Sequence, residues 1–203
     1  MKNVLVTYAT MAGSTAQIAS VIAEELGKAG AQVSVQPLES VHSLAGYDGV
    51  VLGGPMIMGW HRSASNFLRK HRRELAQRPF AIFVTAMSLT NTSERTVGGV
   101  RVCVDPSLPK PPLDAQHLTF RERYARIANY VQPILNAAQP AKPLSIGLFG
   151  GRLEYGRLPW WGVLFVTFVI QAPPADRRNW DAIRAWAAGL AADMHLETEQ
   201  AVA

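Results

Sequence analysis

Val4-Leu5-Val6-Thr7-Tyr8-Ala9-Thr10-Met11-Ala12-Gly13-Ser14-Thr15-Ala16-Gln17-Ile18-Ala19 decides the fold. A short apolar run bounded by small and hydroxyl residues reads as a buried strand. The spacing of Ile18, Val21, Ile22 and Leu26 that follows is one face of a helix. Between them, Thr10 to Thr15 offers three hydroxyl side chains, one glycine and a row of backbone N–H groups at a helix amino terminus. Unpaired donors and the macrodipole favour an anion there. A plain strand-to-helix turn capped by Ser14 or Thr15 uses the same residue types, so both readings stand.

A nucleoside triphosphate loop requires Gly-x-x-x-x-Gly-Lys-Ser/Thr, and no lysine is present; a dinucleotide loop requires Gly-x-Gly-x-x-Gly, and only Gly13 is there. What remains is a monophosphate held by the hydroxyls and amides of Thr10, Met11, Ala12, Gly13, Ser14 and Thr15, without a cation. Thr-x-x-Gly-Ser-Thr after a first strand resembles the phosphate loop of the flavodoxins, and that resemblance implies FMN.

Outward from this unit, Gly30 stops the helix and Ala31, Val33 and Val35 alternate as a second strand ended by Pro37. Asp48 to Gly54 is a third strand, Phe80 to Ala86 a fourth and Leu144 to Gly151 a fifth, each continuously apolar and therefore expected to be covered on both faces. Helices are expected from Ser63 to Leu75, from Thr119 to Ala138 with a kink at Pro133, and from Trp180 to about His195. The alternation predicts an α/β doubly wound parallel sheet of five strands with helices on both faces, as one domain over residues 1–203, and the resemblance to the flavodoxins implies the strand order 2-1-3-4-5.

Ligands of such sheets bind at the carboxyl ends of the strands. Two more loops leave from that edge. Gly53-Gly54 would let a flat ligand approach the backbone. In the flavodoxins the loop after the third strand touches the isoalloxazine, so Pro55, Met56, Ile57, Met58, Gly59 and Trp60 are expected at the ring. Trp60 either stacks on that ring or packs against the following helix as a partly exposed aromatic. His61 either tunes the flavin or caps a helix. After the fourth strand, Met87, Ser88 and Leu89 begin a run whose hydroxyls and amides either meet the pyrimidine ring or form a polar loop.

Two segments lie outside a minimal fold of this kind. Residues 92–118 carry Gly98-Gly99 and four prolines and read as irregular, a lid, partner loop or mobile insertion, with Val100–Val104 as a short edge strand. Residues 152–178 combine Arg152, Arg157, Arg177 and Arg178 with the apolar run Trp160–Ile170, too short for the roughly 20 residues of a spanning helix. That run suits peripheral contact with an anionic membrane surface; a buried helix, a homo-oligomer interface and a strand pair use the same composition.

The totals set bounds. At 203 residues, 48% hydrophobic and 17% charged, the chain is globular rather than disordered. A net charge of +5 favours an acidic partner surface; no recognition motif accompanies it, so nucleic acid is not expected. The helix Arg62, Arg69, Lys70, Arg72, Arg73 is the densest basic face. The single Cys103 excludes an internal disulfide, and the first strand begins at once; both suit a cytoplasmic protein. No metal-ligand spacing and no hydrolase elbow is present, so no catalytic side chain is singled out.

The Thr10–Thr15 loop, the Gly53–His61 loop, the basic helix and the run Gly150-Gly151-Arg152-Leu153-Glu154-Tyr155 together resemble the flavodoxin-like, menaquinone-dependent protoporphyrinogen oxidases. That resemblance implies FMN, a porphyrinogen-like small-molecule substrate, a quinone acceptor and work at the inner face of the membrane. The basic charge departs from electron-carrier flavodoxins, which are usually acidic. A soluble flavodoxin-type carrier and a non-catalytic module of the same fold are the other readings.

Overall fold

A computed structural model describes residues 1–57, 59–90, 94–114, 116–153 and 175–196. Strands β1 (Asn3–Tyr8), β2 (Gln32–Pro37), β3 (Gly49–Pro55), β4 (Phe80–Ala86) and β9 (Ser145–Gly150) lie parallel in the order β2-β1-β3-β4-β9, the predicted arrangement. The interior strands β3, β4 and β9 are buried along their whole length, which is why they read as unbroken apolar runs.

Alternate residues of these strands feed two cores. Val4, Val6, Val51, Ala81, Phe83 and Phe149 face α1 (Ser14–Lys28) and the last helix, α5 (Trp180–Asp193). Leu5, Val50, Leu52, Ile82, Val84, Ile146 and Leu148 face α2 (Arg62–Leu75) and α4 (Ile127–Ala138). Full burial of such a side chain stabilises the fold by about 2 kcal/mol. On α2 the inward residues are Ala64, Phe67, Leu68, His71 and Leu75, and the five predicted basic residues are all exposed. His71 is an addition to that face: its ring packs on Phe67 at 4.5 Å, and Nδ1 lies 2.8 Å from a Glu74 carboxylate oxygen.

The sheet does not stop at β9. The 92–118 segment, expected to be irregular apart from a short edge strand over Val100–Val104, has that strand as β7 (Val100–Val104), with β6 (Thr96–Val97) outside it, and β8 (Pro109–Lys110). Strand β7 pairs parallel to β9, β6 pairs antiparallel to β7, and the sheet therefore has seven strands. Gly98 and Gly99 have φ of +56° and +73° and join Val97 to Val100 as a two-residue hairpin, a turn that needs positive φ at both central positions. The glycines that looked like breakers are the hairpin itself. Strand β8 pairs with β5 (Leu89–Thr90), away from the main sheet.

The helix expected over Thr119–Ala138 is two helices, α3 (Phe120–Tyr124) and α4. The carbonyl of Ala125 accepts the Thr90 amide at 2.7 Å, and the Thr90 hydroxyl donates to the Glu122 carbonyl. These bonds divert acceptors that a continuous helix would use. A Thr119–Glu122 capping box starts α3: the Thr119 amide donates to Glu122 at 2.7 Å, and the Glu122 amide to the Thr119 hydroxyl at 3.3 Å.

Among the described residues no helix is long and apolar enough to cross a membrane. The Trp160–Ile170 run lies outside the described residues, as do Met58, Asn91 and Thr92.

Candidate functional site at the carboxyl edge of the sheet

Tyr8, Pro55, Ala86 and Gly150 end their strands at one edge, and the loops that follow meet there. In the first loop Gly13 is the N-cap of α1, with φ +88° and no side-chain cap, so neither Ser14 nor Thr15 caps the helix. The Gly13 amide donates to the Thr10 hydroxyl at 2.9 Å, and its carbonyl accepts from Gln17 at 3.3 Å, the first bond of the helix. The amides of Ser14, Thr15 and Ala16 precede that bond and have no intrahelical acceptor. The left-handed glycine opens the turn so that these amides point along the helix axis.

The Thr15 side chain does not belong to that donor set. It is buried, its hydroxyl 3.3 Å from that of Thr85 on β4, where the pair ties helix to sheet. Thr10 is exposed and its oxygen already accepts from Gly13. The polar side chain left beside the open amides is the half-buried Ser14.

These groups open into a cleft of about 70 Å³. Met11, Ala12, Ser14 and Thr15 form one wall, Pro55, Met56 and Ile57 another, and Met87 closes the side toward β4. Thr85, Ala86, Gly151, Arg152 and Leu153 line it too, and the sequence reading missed all five. The signal was available, since β9 ends in glycines at the same edge as the other loops. Sites that enclose a whole ligand run to roughly 300–1,000 Å³. This cleft therefore suits a phosphoryl group and the start of a chain, with any ring system lying across its rim. Met11 and Ile57, 41% and 36% exposed, form that rim.

Arg152 corrects the expectation of a cation-free site. It lines the cleft, with Nε 4.0 Å from an Asp176 carboxylate oxygen, on a two-stranded ribbon of β10 (Arg152–Leu153) and β11 (Ala175–Asp176). Arg178 also holds Asp176, with Nε 2.8 Å from Oδ1; it packs over the Trp180 ring at 4.7 Å and reaches the Gln17 side chain on α1. The Arg178 hydrogen bond, and then the nearby positive charge, keep the Asp176 carboxyl below the ordinary carboxylate range.

The loop after β3 contradicts the stacking role of Trp60 and has the alternative, packing on the α2 side, with the ring buried rather than partly exposed. Trp60 is 9% exposed, its Nε1 donates to the Gly54 carbonyl at 3.1 Å, and it belongs to the α2-side core. Met56 pairs across a β-bridge with Trp60, which turns the loop inward and leaves Ile57 and Gly59, φ +125°, at its tip. Gly53 and Gly54 serve packing rather than a ligand. A Cβ on Gly53 would lie 1.9 Å from Phe83 Cζ, and one on Gly54 2.9 Å from Trp60 Nε1. His61 is half-buried, its Nδ1 has no hydrogen-bond partner, and burial pulls its pKa below the usual imidazole value against a smaller upward pull from Glu39.

After β4, Met87 lines the cleft while Leu89 is buried in β5 against the core, out of reach of a ligand. Ser88 is exposed, and its carbonyl accepts the Tyr130 hydroxyl at 3.2 Å. Burial, the first cause, pushes the Tyr130 phenol up to about 12.

A parallel sheet of this strand order with a helix amino terminus open at its carboxyl edge defines an α/β protein of the doubly wound class. The profile of the flavodoxin domain matches residues 5–177, and the chain belongs to that family. It is similar in structure to a flavodoxin of Fusobacterium nucleatum bound to flavin mononucleotide, with 12% identity, 96% of this chain and 99% of that one covered, and TM-score 0.52. A short-chain flavodoxin associated with a PDU bacterial microcompartment gives 11% identity, 96% and 99% coverage, and TM-score 0.53. The chain spans 36% of the length of the rubredoxin oxygen:oxidoreductase of Desulfovibrio gigas, at 12% identity and TM-score 0.49. No curated protein sequence matches.

Proposed function

We propose that this chain binds FMN at the Ser14–Met87 cleft and works as an FMN-dependent oxidoreductase. It passes electrons from a reduced small molecule, porphyrinogen-like by resemblance, to a quinone. The observation that carries the cofactor is the helix terminus behind the left-handed Gly13, where the Ser14, Thr15 and Ala16 amides have no intrahelical acceptor, beside a phosphoryl-sized cleft. The amides and the Ser14 hydroxyl donate to the phosphoryl oxygens, with Arg152 adding charge from the opposite wall. Met11 and Ile57 present apolar contact to one side of a flat ring and exclude water from it. Bound FMN supplies the redox chemistry, and the protein supplies position and electrostatics.

Membrane-surface work rests on the sequence of Trp160–Ile170 and on the basic charge. A flavodoxin-type electron carrier is the second reading, favoured by the family match over residues 5–177. The visible spectrum of the purified protein, followed by titration with FMN, tests the cofactor: a flavin spectrum and saturable quenching of FMN fluorescence are expected, and a protein that stays colourless with excess FMN ends this reading. Reduction by a porphyrinogen together with reoxidation by a quinone separates the oxidoreductase from the carrier, which would accept electrons from a protein donor only.

A further inference from the structure

Helix α2 carries its positive charge differently from the rest of the described surface. Elsewhere cations meet carboxylates: Lys28 bridges Glu24 and Glu25 at 3.1 and 2.9 Å, Arg184 lies 3.4 Å from Glu24, Arg101 pairs with Asp193, and Arg152 and Arg178 share Asp176. On α2, Arg62, Arg69, Lys70, Arg72 and Arg73 are all exposed, and among the described residues none of the five forms an ion pair. The one acid of the helix, Glu74, lies 2.8 Å from His71 Nδ1. Arg78, just beyond the helix, is turned inward onto the Leu44 and Tyr47 carbonyls and adds nothing to this face.

Arg69 and Arg73 stand one turn apart, as do Arg69 and Arg72, and Lys70 and Arg73. Like charges at these spacings repel and weaken an isolated helix. The buried Phe67, Leu68 and Leu75 hold α2 against that repulsion, and an external anion removes it. At its carboxyl end the face opens into a groove of about 640 Å³ against α4, lined by Arg72, Arg73, Asn136, Gln139 and Pro140. No acid lines the groove, and α4 contains none. Asn136 Oδ1 accepts from the Gln132 side chain at 2.9 Å, which leaves the Asn136 amide N–H groups to donate. Two guanidinium forks beside two carboxamides fit a carboxylate.

We propose that the α2 face and the α2–α4 groove form the docking surface for an acidic protein, with an Asp or Glu side chain of that partner seated between Arg72, Arg73 and Asn136. The charge is complementary to such a partner, and the rest of the face favours a protein over other polyanions. Every large apolar residue of α2 is buried, so the face has nothing to insert into a bilayer as an interfacial helix does. It exposes no aromatic ring to stack on a base. The neutral Asn136 and Gln139 release no counterions, the main source of affinity for a nucleic acid, but give directional hydrogen bonds to a seated side chain. The 14 residues of α2 make a face about 21 Å long and about 10 Å wide, the scale of a small transient contact rather than of the roughly 800 Å² per partner of a stable complex. In such a contact opposite charge sets the encounter rate and the orientation. The surface is built from this chain alone and does not rest on the FMN reading.

The test is the fluorescence anisotropy of a labelled peptide of alternating glutamate and serine, titrated with the full-length protein at about 50 and about 200 mM salt. Saturable binding is expected, about tenfold weaker and less salt-dependent in Arg72→Gln/Arg73→Gln, and about threefold weaker in Asn136→Ala. Lys2→Gln/Lys110→Gln removes the same charge outside α2 and is expected to change the affinity by less than about twofold. All five side chains are exposed, so the urea midpoints are expected to stay at the wild-type value. Wild-type affinity in Arg72→Gln/Arg73→Gln, or an equal loss in Lys2→Gln/Lys110→Gln, overturns the docking surface and reduces the binding to net charge. Tighter association with phosphatidylglycerol–phosphatidylcholine vesicles or with single-stranded oligothymidylate than with the peptide, lost in Arg72→Gln/Arg73→Gln, assigns the face to lipid or to nucleic acid and overturns it as well. FMN affinity is expected to be the same in wild type and Arg72→Gln/Arg73→Gln, so a failure of the docking surface and a failure of the cofactor reading are told apart.

Discussion

The loop after β1 and the loop after β3 leave the same edge of the same sheet two residues apart in register, and they do opposite things with their polar groups. The first keeps backbone donors turned outward, because a left-handed glycine ends the turn before the helix can use them. The second turns inward: Trp60 drops its indole onto the Gly54 carbonyl and the α2 core, while Ile57 is exposed and Gly59 half-buried at its tip. A glycine-rich, aromatic-bearing loop can therefore line a cleft through its other residues, here Pro55, Met56 and Ile57, while its glycines and its tryptophan serve packing.

The comparison breaks most decisively at Trp60. Trp60→Ala is expected to lose about 4 kcal/mol of folding stability through the cavity it leaves, read from urea unfolding. Trp60→Phe is expected to lose about 1 kcal/mol, by abandoning the Gly54 carbonyl, with FMN affinity unchanged. A Trp60→Phe protein of full stability that binds FMN several-fold more weakly would return Trp60 to the ring. Next, Gly53→Ala places a methyl group 1.9 Å from Phe83 Cζ and is expected to cost about 3 kcal/mol, again by urea unfolding.

On the outward loop the effects are smaller in stability and larger in binding. Gly13→Ala, at φ +88°, is expected to lose about 1 kcal/mol of stability and several-fold in FMN affinity, measured by flavin fluorescence quenching. Arg152→Gln is expected to leave the fold intact, weaken FMN binding by a smaller factor, and reduce the salt dependence of that binding. The smallest expected effect is the pH dependence of the ribbon that carries Arg152. Because the folded pKa of Asp176 is depressed, its stabilising contribution is fully present above the ordinary 3.8 and is lost as pH falls through the lower folded value. Asp176→Asn should flatten that part of an acid-unfolding curve.

Much of the architecture was legible because buried parallel strands leave a strong mark: unbroken apolar runs in β3, β4 and β9, and a 3.6-residue stripe in α1. The hairpin at Gly98-Gly99 was hidden because the same dipeptide signals both a break and a type I′ turn, and because β6 is a two-residue strand that pairs with β7, itself held by β9. The break between α3 and α4 was hidden because its cause, the Thr90 amide on Ala125, comes from 35 residues earlier in the chain.

The sequence by itself determined the alternation of buried strands and helices and the position of the first loop at a helix amino terminus, since these follow from local periodicity; the order of the central strands came with the flavodoxin resemblance. Tertiary structure decided which side chains at that edge face outward. Thr15 went to Thr85, Trp60 to the core and Leu89 to β5, while Arg152 came to the cleft from a distant part of the chain. The physical reason is that backbone periodicity is set by neighbours in sequence, whereas the direction in which a loop residue is satisfied depends on hydrogen-bond partners and packing surfaces that only the assembled sheet brings within reach.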